Sequence, residues 1–241
     1  MKKIVLAAAA SVAALLAGPV LAQDVASGYI GAGYTKAELD DTFETEGWNL
    51  HGSVNFPMSG SLGVQVDAGY TSVDDADAES MFGQAHLYNR GENGSFGGFL
   101  AYADSEDVGM WAGGLEGQHY MDRVTVAGVI GFGKVDELDA EAFGAAGQAR
   151  LFANDNLRFD VTLGLVETDG DDTTSVGVGG EWQLSGTPLS VFGSWDHSDS
   201  DIGDVASVTV GVRFNFGTGS LMERDRSGAS RMGARGLFGT M

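Results

Sequence analysis

His51-x-Ser53, with Asn55 beyond it, places an imidazole and a hydroxyl on one face of an extended segment. That is the base-and-nucleophile pairing acyl transfer uses. Asp74-Asp75 and Asp196-His197 offer acid and imidazole groups of the kind that activate water. Both pairings are weak signals. His51 and Ser53 lie among other polar residues of the same parity, and Asp-rich stretches recur along the chain and yield such pairs by chance. The scattered Gly-x-Gly steps are followed by no helical pattern, so they do not make a phosphate loop. "DSDIGD" and "DGDD" do not complete a calcium-loop pattern, which leaves only weak screening by divalent ions. With no cysteine, thiolate metal sites and a disulfide-stapled fold are excluded. The sequence therefore predicts no catalytic residue, no metal and no cofactor. A larger set of ionisable residues calls for another explanation: Asp67, His86, Arg90, Glu116, Arg150, Arg158, Asp160, Glu181 and Arg213.

All nine sit in segments that alternate apolar with polar or small residues. From 27 to 216 the pattern recurs about every 15 residues, about ten alternating residues and then a turn. The period is two throughout, not 3.6, and it predicts twelve strands, near 27–37, 47–57, 61–73, 80–90, 95–104, 109–120, 123–134, 143–153, 157–167, 174–184, 188–197 and 205–216. Ten to fourteen strands fit the same pattern. One parity carries leucine, valine, alanine and aromatics, and the other carries the nine ionisable residues with His51, Ser53, Asn55, Gln65, Gln84, Gln118, Gln148 and Gln183. Charged groups facing lipid are costly, so the polar parity must face water or itself. Strands of about 9–11 residues suffice to cross a bilayer when tilted.

Two features separate a membrane barrel from a soluble sandwich. With consecutive strands running up and down, Tyr34, Trp48, Tyr70, Tyr102, Trp111, Phe132, Phe143 and Trp195 fall near one rim. Phe56, Phe96, Phe159, Trp182, Phe214 and Phe216 fall near the other. Two aromatic girdles around an aliphatic band match the two interfaces of a bilayer. Connections also alternate. "PMSGS", "NRGENGS", "YMDR", "ANDN" and "LSGTP" are short, whereas "ELDDTFETEG", "VDDADAES", "DSEDVG", "VDELDAEAFG", "ETDGDDTTS" and "HSDSDIGD" read as longer acidic loops. The expected fold class is all-β, a single closed antiparallel up-and-down transmembrane β-barrel of about twelve strands.

The first residues, "MKKIVLAAAASVAALLAGPVLAQ", carry two lysines, an apolar run too short to span a membrane and small residues before Gln23, the pattern of a secretory signal peptide over 1–22. Cleavage there removes Lys2 and Lys3 and no acid, so 34 acidic side chains stand against 11 basic ones, a formal charge of −23. Such a surface excludes nucleic acid as a partner. The barrel is expected to occupy 23–217, leaving 218–241 as a basic tail.

The last strand, "TVGVRFNF", has Thr209, Gly211, Phe214 and Phe216 in the order polar-x-Gly-x-x-aromatic-x-aromatic. It resembles the final-strand signal of bacterial outer-membrane β-barrel proteins, the porin-like class. The resemblance covers 23–216 in pattern and departs from the class in one respect, since the aromatic normally ends the chain. It implies a Gram-negative outer membrane, reached through the periplasm. It also implies outer-membrane lipid, lipopolysaccharide and the barrel assembly machinery as partners. The function it points to is passive diffusion of small hydrophilic solutes or ions, with a closed structural or surface-interaction barrel as the alternative. The girdle runs nearly all the way round, which points to a monomer.

Small inward residues such as Gly31, Gly33, Gly131 and Gly133 leave room for a narrow lumen. In that lumen Arg90, Arg150, Arg158 and Arg213 are expected to face Glu116, Asp160 and Glu181. The tail "TGSLMERDRSGASRMGARGLFGTM" lacks strand alternation and is poor in large apolar residues, so a disordered periplasmic extension is the first expectation. The alternative is that the basic tail swings under the barrel and partly blocks the lumen, drawn by Glu116 and Glu181.

Overall fold

The structure, a computed structural model, describes residues 26–238 apart from 41, 59, 75–77, 106–107, 137–139, 169, 202 and 218. The expected signal peptide and Asp75 lie outside the described residues. Twelve strands run β1 (Ser27–Leu39), β2 (Phe43–Pro57), β3 (Leu62–Val73), β4 (Ala78–Gly91), β5 (Gly94–Ser105), β6 (Val108–Tyr120), β7 (Val124–Val135), β8 (Ala140–Asn154), β9 (Leu157–Thr168), β10 (Asp171–Gln183), β11 (Leu189–Ser200) and β12 (Gly203–Phe216). Each pairs antiparallel with its sequence neighbours, and β12 pairs with β1 from Gly28–Phe216 to Leu39–Val205, which closes the barrel. Closure leaves no edge strand with unpaired backbone groups, the condition for a sheet in lipid.

The two parities separate as the alternation requires. Trp48, Trp111, Phe132, Phe143 and Trp195 are exposed toward the acidic end, and Phe96, Phe159, Trp182 and Phe214 toward the short-turn end. Between them lie exposed Leu50, Leu87, Leu100, Leu115, Ile130, Leu163 and Val210. Register partners sit at matching height: Tyr34 packs on Trp48 at 5.0 Å and Tyr102 on Trp111 at 4.6 Å between ring centroids. A charge within this band should be costly. Leu163→Arg, mid-strand on β9, should lower the barrel's folding free energy by about 2–4 kcal/mol. Urea titration of protein folded into lipid vesicles measures it, and an unchanged midpoint would contradict an outward apolar face set in lipid.

The acidic end differs from the sequence-based expectation. The stretches read as long loops are mostly strand: the connections there shrink to 40–42, 74–77, 106–107, 136–139, 169–170 and 201–202. The physical reason is that backbone pairing does not require apolar residues once the strands rise above an apolar band. Lys36 on β1 meets Glu44 on β2 at 2.7 Å, and Thr35 Oγ1 lies 2.9 Å from Thr209 Oγ1 across the closing pair. Acidic residues beyond the band therefore sit on hairpins whose backbones remain paired.

After Phe216 the chain turns back. Residues Leu221–Ser227 form a short helix, α1, and Gly233–Phe238 a second, α2. Ser220 caps α1: its Oγ accepts the Glu223 N–H at 3.2 Å, and Glu223 Oε2 accepts the Ser220 N–H at 2.7 Å. The second helix lies within the barrel, and α1 lies across its short-turn mouth, where the Met222 N–H donates to the Asp155 carbonyl at 2.9 Å. Leu221, Met232, Ala234 and Leu237 are buried, and the last three join Phe99, Ala101, Ala112, Ala127 and Val129 in the lumen's apolar cluster. The expectation of a disordered extension is thus not met over these residues. The tail by itself has too little apolar surface to fold, and it borrows that surface from the barrel wall.

Candidate functional site

By their partners, the nine ionisable residues named above sort into three groups. In the first, on β3, β4 and β6, His86 lies between two carboxylates: Nε2 is 2.9 Å from Asp67 Oδ2 and Nδ1 is 2.8 Å from Glu116 Oε1. As an imidazolium the ring donates to both. Asp67 also accepts from Gln65 Nε2 at 2.8 Å, from Gln84 Nε2 at 2.7 Å and from the Ser53 hydroxyl. The whole array is buried. In the second group, Glu181 accepts from Arg213 at 2.5 Å, from Arg158 at 3.4 Å and from Ser190 at 2.6 Å, and Arg158 lies 3.6 Å from Asp160. The Arg213 guanidinium is sandwiched by Tyr29 and Phe192, at 4.6 and 4.4 Å from the ring centroids.

The third group holds the tail. Arg150 donates to Asp225 Oδ1 at 2.6 Å and to the Ser230 carbonyl at 2.9 Å, and Thr125 donates to Asp225 Oδ2 at 2.8 Å. Arg90 donates to the Ser227 carbonyl and, at 3.0 Å, to that of Gly228. Gln118 donates to the Ser230 carbonyl at 2.7 Å. Higher in the lumen, Gln65 Oε1 accepts the Arg231 N–H at 3.1 Å, Glu116 Oε2 the Gly233 N–H at 3.1 Å and Gln84 Oε1 the Ala234 N–H at 2.9 Å.

These contacts revise two expectations. Arg158 and Arg213 do meet Asp160 and Glu181, but Glu116 pairs with His86, and Arg90 and Arg150 bind the tail. The tail's Arg231 and Arg224 feel the charges of Glu116 and Glu181, but their direct hydrogen bonds go elsewhere. Arg224 donates to Gln183, Arg231 to Ser95 at 2.6 Å, and Arg226 to the carbonyls of Met121 and Asp122 at 2.5 and 2.6 Å. The tail's direct hydrogen bond to Glu116 comes from the Gly233 backbone N–H. The inward glycines read as open lumen are filled too. A Cβ on Gly131 would come within 3.0 Å of Leu237, and one on Gly133 within 3.2 Å of Phe238.

Inward aromatics were the residues sequence reasoning passed over. Tyr29, Tyr88, Phe99 and Phe192 face the lumen, where Tyr88 carries the Arg231 guanidinium at 4.0 Å. Parity could have found Phe99, which shares its face with Gly97 and Ala101, and the Ser220–Glu223 spacing could have announced α1. Among the described residues the hydrolytic pairings do not assemble. Ser53 donates to Asp67, whereas His51 bonds Asn49 at 3.1 Å through Nδ1 and Arg213 at 3.3 Å through Nε2. His197 stacks on Trp195 at 6.0 Å, on the parity opposite to Asp196.

Above the tail, toward the acidic end, remains a cavity of about 360 Å³. Its lining includes His51, Arg158, Asp160, Asp196 and Arg213 from the barrel and Arg235 from α2. The protein is therefore a closed antiparallel barrel with an apolar exterior, a charged interior and a segment of its own chain lodged inside.

That architecture is a fold shared with outer-membrane porins of known structure. Among solved structures, the NanC porin superposes with a TM-score of 0.62 at 6% identity, covering 78% of this chain and 100% of that one. An outer membrane channel from Pseudomonas putida F1 gives 0.60 at 12% identity, with 80% and 96% covered. The KdgM porin gives 0.59 at 10% identity, with 78% and 99% covered. At these identities the likeness is one of fold. No protein-family model and no curated protein matches the chain.

Proposed function

We propose that the protein is a porin-like channel of a Gram-negative outer membrane, passing small hydrophilic solutes or ions through its polar lumen by passive diffusion, and that the arrangement described is its closed state. One observation carries the reading: the lumen is stopped by a segment that follows the last strand, not by the barrel's own side chains. Take that segment away and the wall exposes charges of both signs beside one apolar patch around Phe99 and Val129, a mixed surface suited to water and solutes and not to lipid. The chemistry is exclusion by size with an electrostatic bias, and no turnover. The fold shared with porins supports the channel. Thr209, Gly211, Phe214 and Phe216 serve as the signal to the barrel assembly machinery, and outer-membrane lipid and lipopolysaccharide surround a monomer. The second reading, a closed structural or surface-interaction barrel, is favoured by the filled lumen alone. Conductance of the full chain and of one ending at Gly217, in planar bilayers, decides between them.

Orientation is a separate expectation. The acidic hairpins face outside the cell, and the short turns, with the start of the tail, face the periplasm. An epitope inserted within 136–142 should label on intact cells and one within 154–156 should not. The opposite pattern would reverse the topology.

A further inference from the structure

We infer that the lumen wall carries a peptide-recognition site whose ligand is residues 231–238 of this chain, with Gly233 as the residue that sets its specificity. The wall offers acceptors in a row. Gln65, Glu116 and Gln84 each take one backbone N–H of the tail, from Arg231, Gly233 and Ala234. The acceptors are themselves held. Asp67 fixes the amide ends of Gln65 and Gln84, and His86 bridges Asp67 to the Glu116 oxygen that does not face the tail. Held amides and a held carboxylate lose little freedom on binding, so the wall is organised before the ligand arrives.

The ligand is constrained in turn. Gly233 has φ +55°, a conformation that side-chain-bearing residues rarely adopt. A Cβ there would lie 2.4 Å from Gln84 Oε1 and 2.6 Å from His86 Cε1, inside the array that does the recognising. Two penalties, backbone and steric, thus fall on any other residue at that position. Beyond it, Leu237 and Phe238 enter space that Gly131, Gly133 and Gly144 leave free. Hydrogen bonds to the main chain give affinity, and the glycine and the two apolar side chains give selectivity, the same division of labour seen where peptides are read by backbone bonds and side-chain pockets.

A site built to hold a segment by its backbone can also release it. No strand register depends on residues 231–238, because the barrel closes at Phe216. Displacement of the segment then opens the lumen without unfolding the wall. This last step rests on the channel reading proposed above, whereas recognition of the segment does not.

The test uses the full chain, which has no native cysteine. Met232→Cys places one thiol at a buried position next to the array. In this background a membrane-impermeant maleimide should react slowly. Adding Gly233→Val should speed labelling by about tenfold or more, since strain and clash together favour the released state. Glu116→Gln should also speed it, by less, because the amide still accepts the Gly233 N–H but loses the charge that faces His86. Resistance of the barrel to detergent unfolding should stay unchanged in the Gly233→Val chain, which confirms that the barrel is folded. Equal labelling with and without Gly233→Val, in a folded barrel, would overturn the site. Faster labelling with unchanged conductance would support the site and overturn the channel reading.

Discussion

Deleting residues 218–241 should raise single-channel conductance several-fold, the largest functional change expected of any variant of this chain. The barrel should still assemble, because β12 closes on β1 through Phe216, which would then stand one residue from the chain end. Removal takes away Met232, Ala234, Leu237 and Phe238, which fill the lumen beside Phe99 and Val129, and exposes Gln65, Gln84 and Glu116 to water. It also removes four arginines against Glu223 and Asp225, so selectivity should shift toward cations. That bias should fade as salt rises, since fixed charge acts over a Debye length of ~8 Å at physiological ionic strength. Planar-bilayer recording of both chains measures conductance and selectivity together. Unchanged conductance would show that 218–241 is not what closes the lumen. Failure of the shortened chain to insert would show that Phe216 does not suffice as the end of the barrel.

Arg150→Ala should free the tail without opening the sheet. The Asp225 carboxylate has a fully buried side chain, and Arg150, itself buried, is its charged partner at 2.6 Å. Without the guanidinium, Thr125 alone would bond a carboxylate held out of water, a situation that costs about 3–5 kcal/mol when one partner of a buried pair is removed. The chain can escape that cost by withdrawing Asp225 to solvent, which α1 permits and a strand would not. Limited trypsin digestion reports the change, because Arg224, Arg226, Arg231 and Arg235 all lie in the tail. The full chain should resist cleavage there, and Arg150→Ala should be cut while the barrel remains intact. Combining Arg150→Met with Asp225→Leu should restore much of the protection by replacing the pair with apolar volume. A control is Arg123→Ala, whose partner Asp155 lies 2.8 Å away with both side chains about half exposed, and which should change little. An unchanged digestion pattern in Arg150→Ala would mean that the pair does not anchor the tail.

How much of this was legible beforehand depends on the range of the interaction involved. Strand positions, the outward and inward parities and the two girdles follow from period-two alternation, which each strand carries within about ten residues, whereas the count of twelve among ten to fourteen was fixed by the closing pair. That alternation is why His86, Glu116, Arg158 and Glu181 could be assigned to the interior before any strand was placed. The same local logic misjudged the acidic stretches. Polarity there was read as looping, whereas Lys36–Glu44 and its neighbours continue the ladder, because pairing is a property of the backbone and not of side-chain polarity.

The interior was decided only by tertiary structure. Which cation meets which acid depends on what else enters the lumen, and the alternation of a strand contains nothing about that. Arg150 was expected to face a wall carboxylate and instead meets Asp225, 75 residues further along the chain. Gly131 and Gly133 announced empty space, but their own sequence does not say whether water or Leu237 and Phe238 will fill it. Ser220 and Glu223 spell a helix start, yet α1 and α2, of 7 and 6 residues, are too short to be stable in water. The folding of α2 depends on burial against Phe99, Ala112 and Val129 and on the acceptors Gln65, Gln84 and Glu116, groups brought together from β3, β4, β5, β6 and β7, and that of α1 on Arg150 and Thr125, which hold Asp225. The amino-acid order by itself determined a closed barrel with an apolar outside and a charged inside, because each strand carries that choice locally. What occupies the inside was settled by closure of the sheet, which alone creates the surface on which the tail can fold.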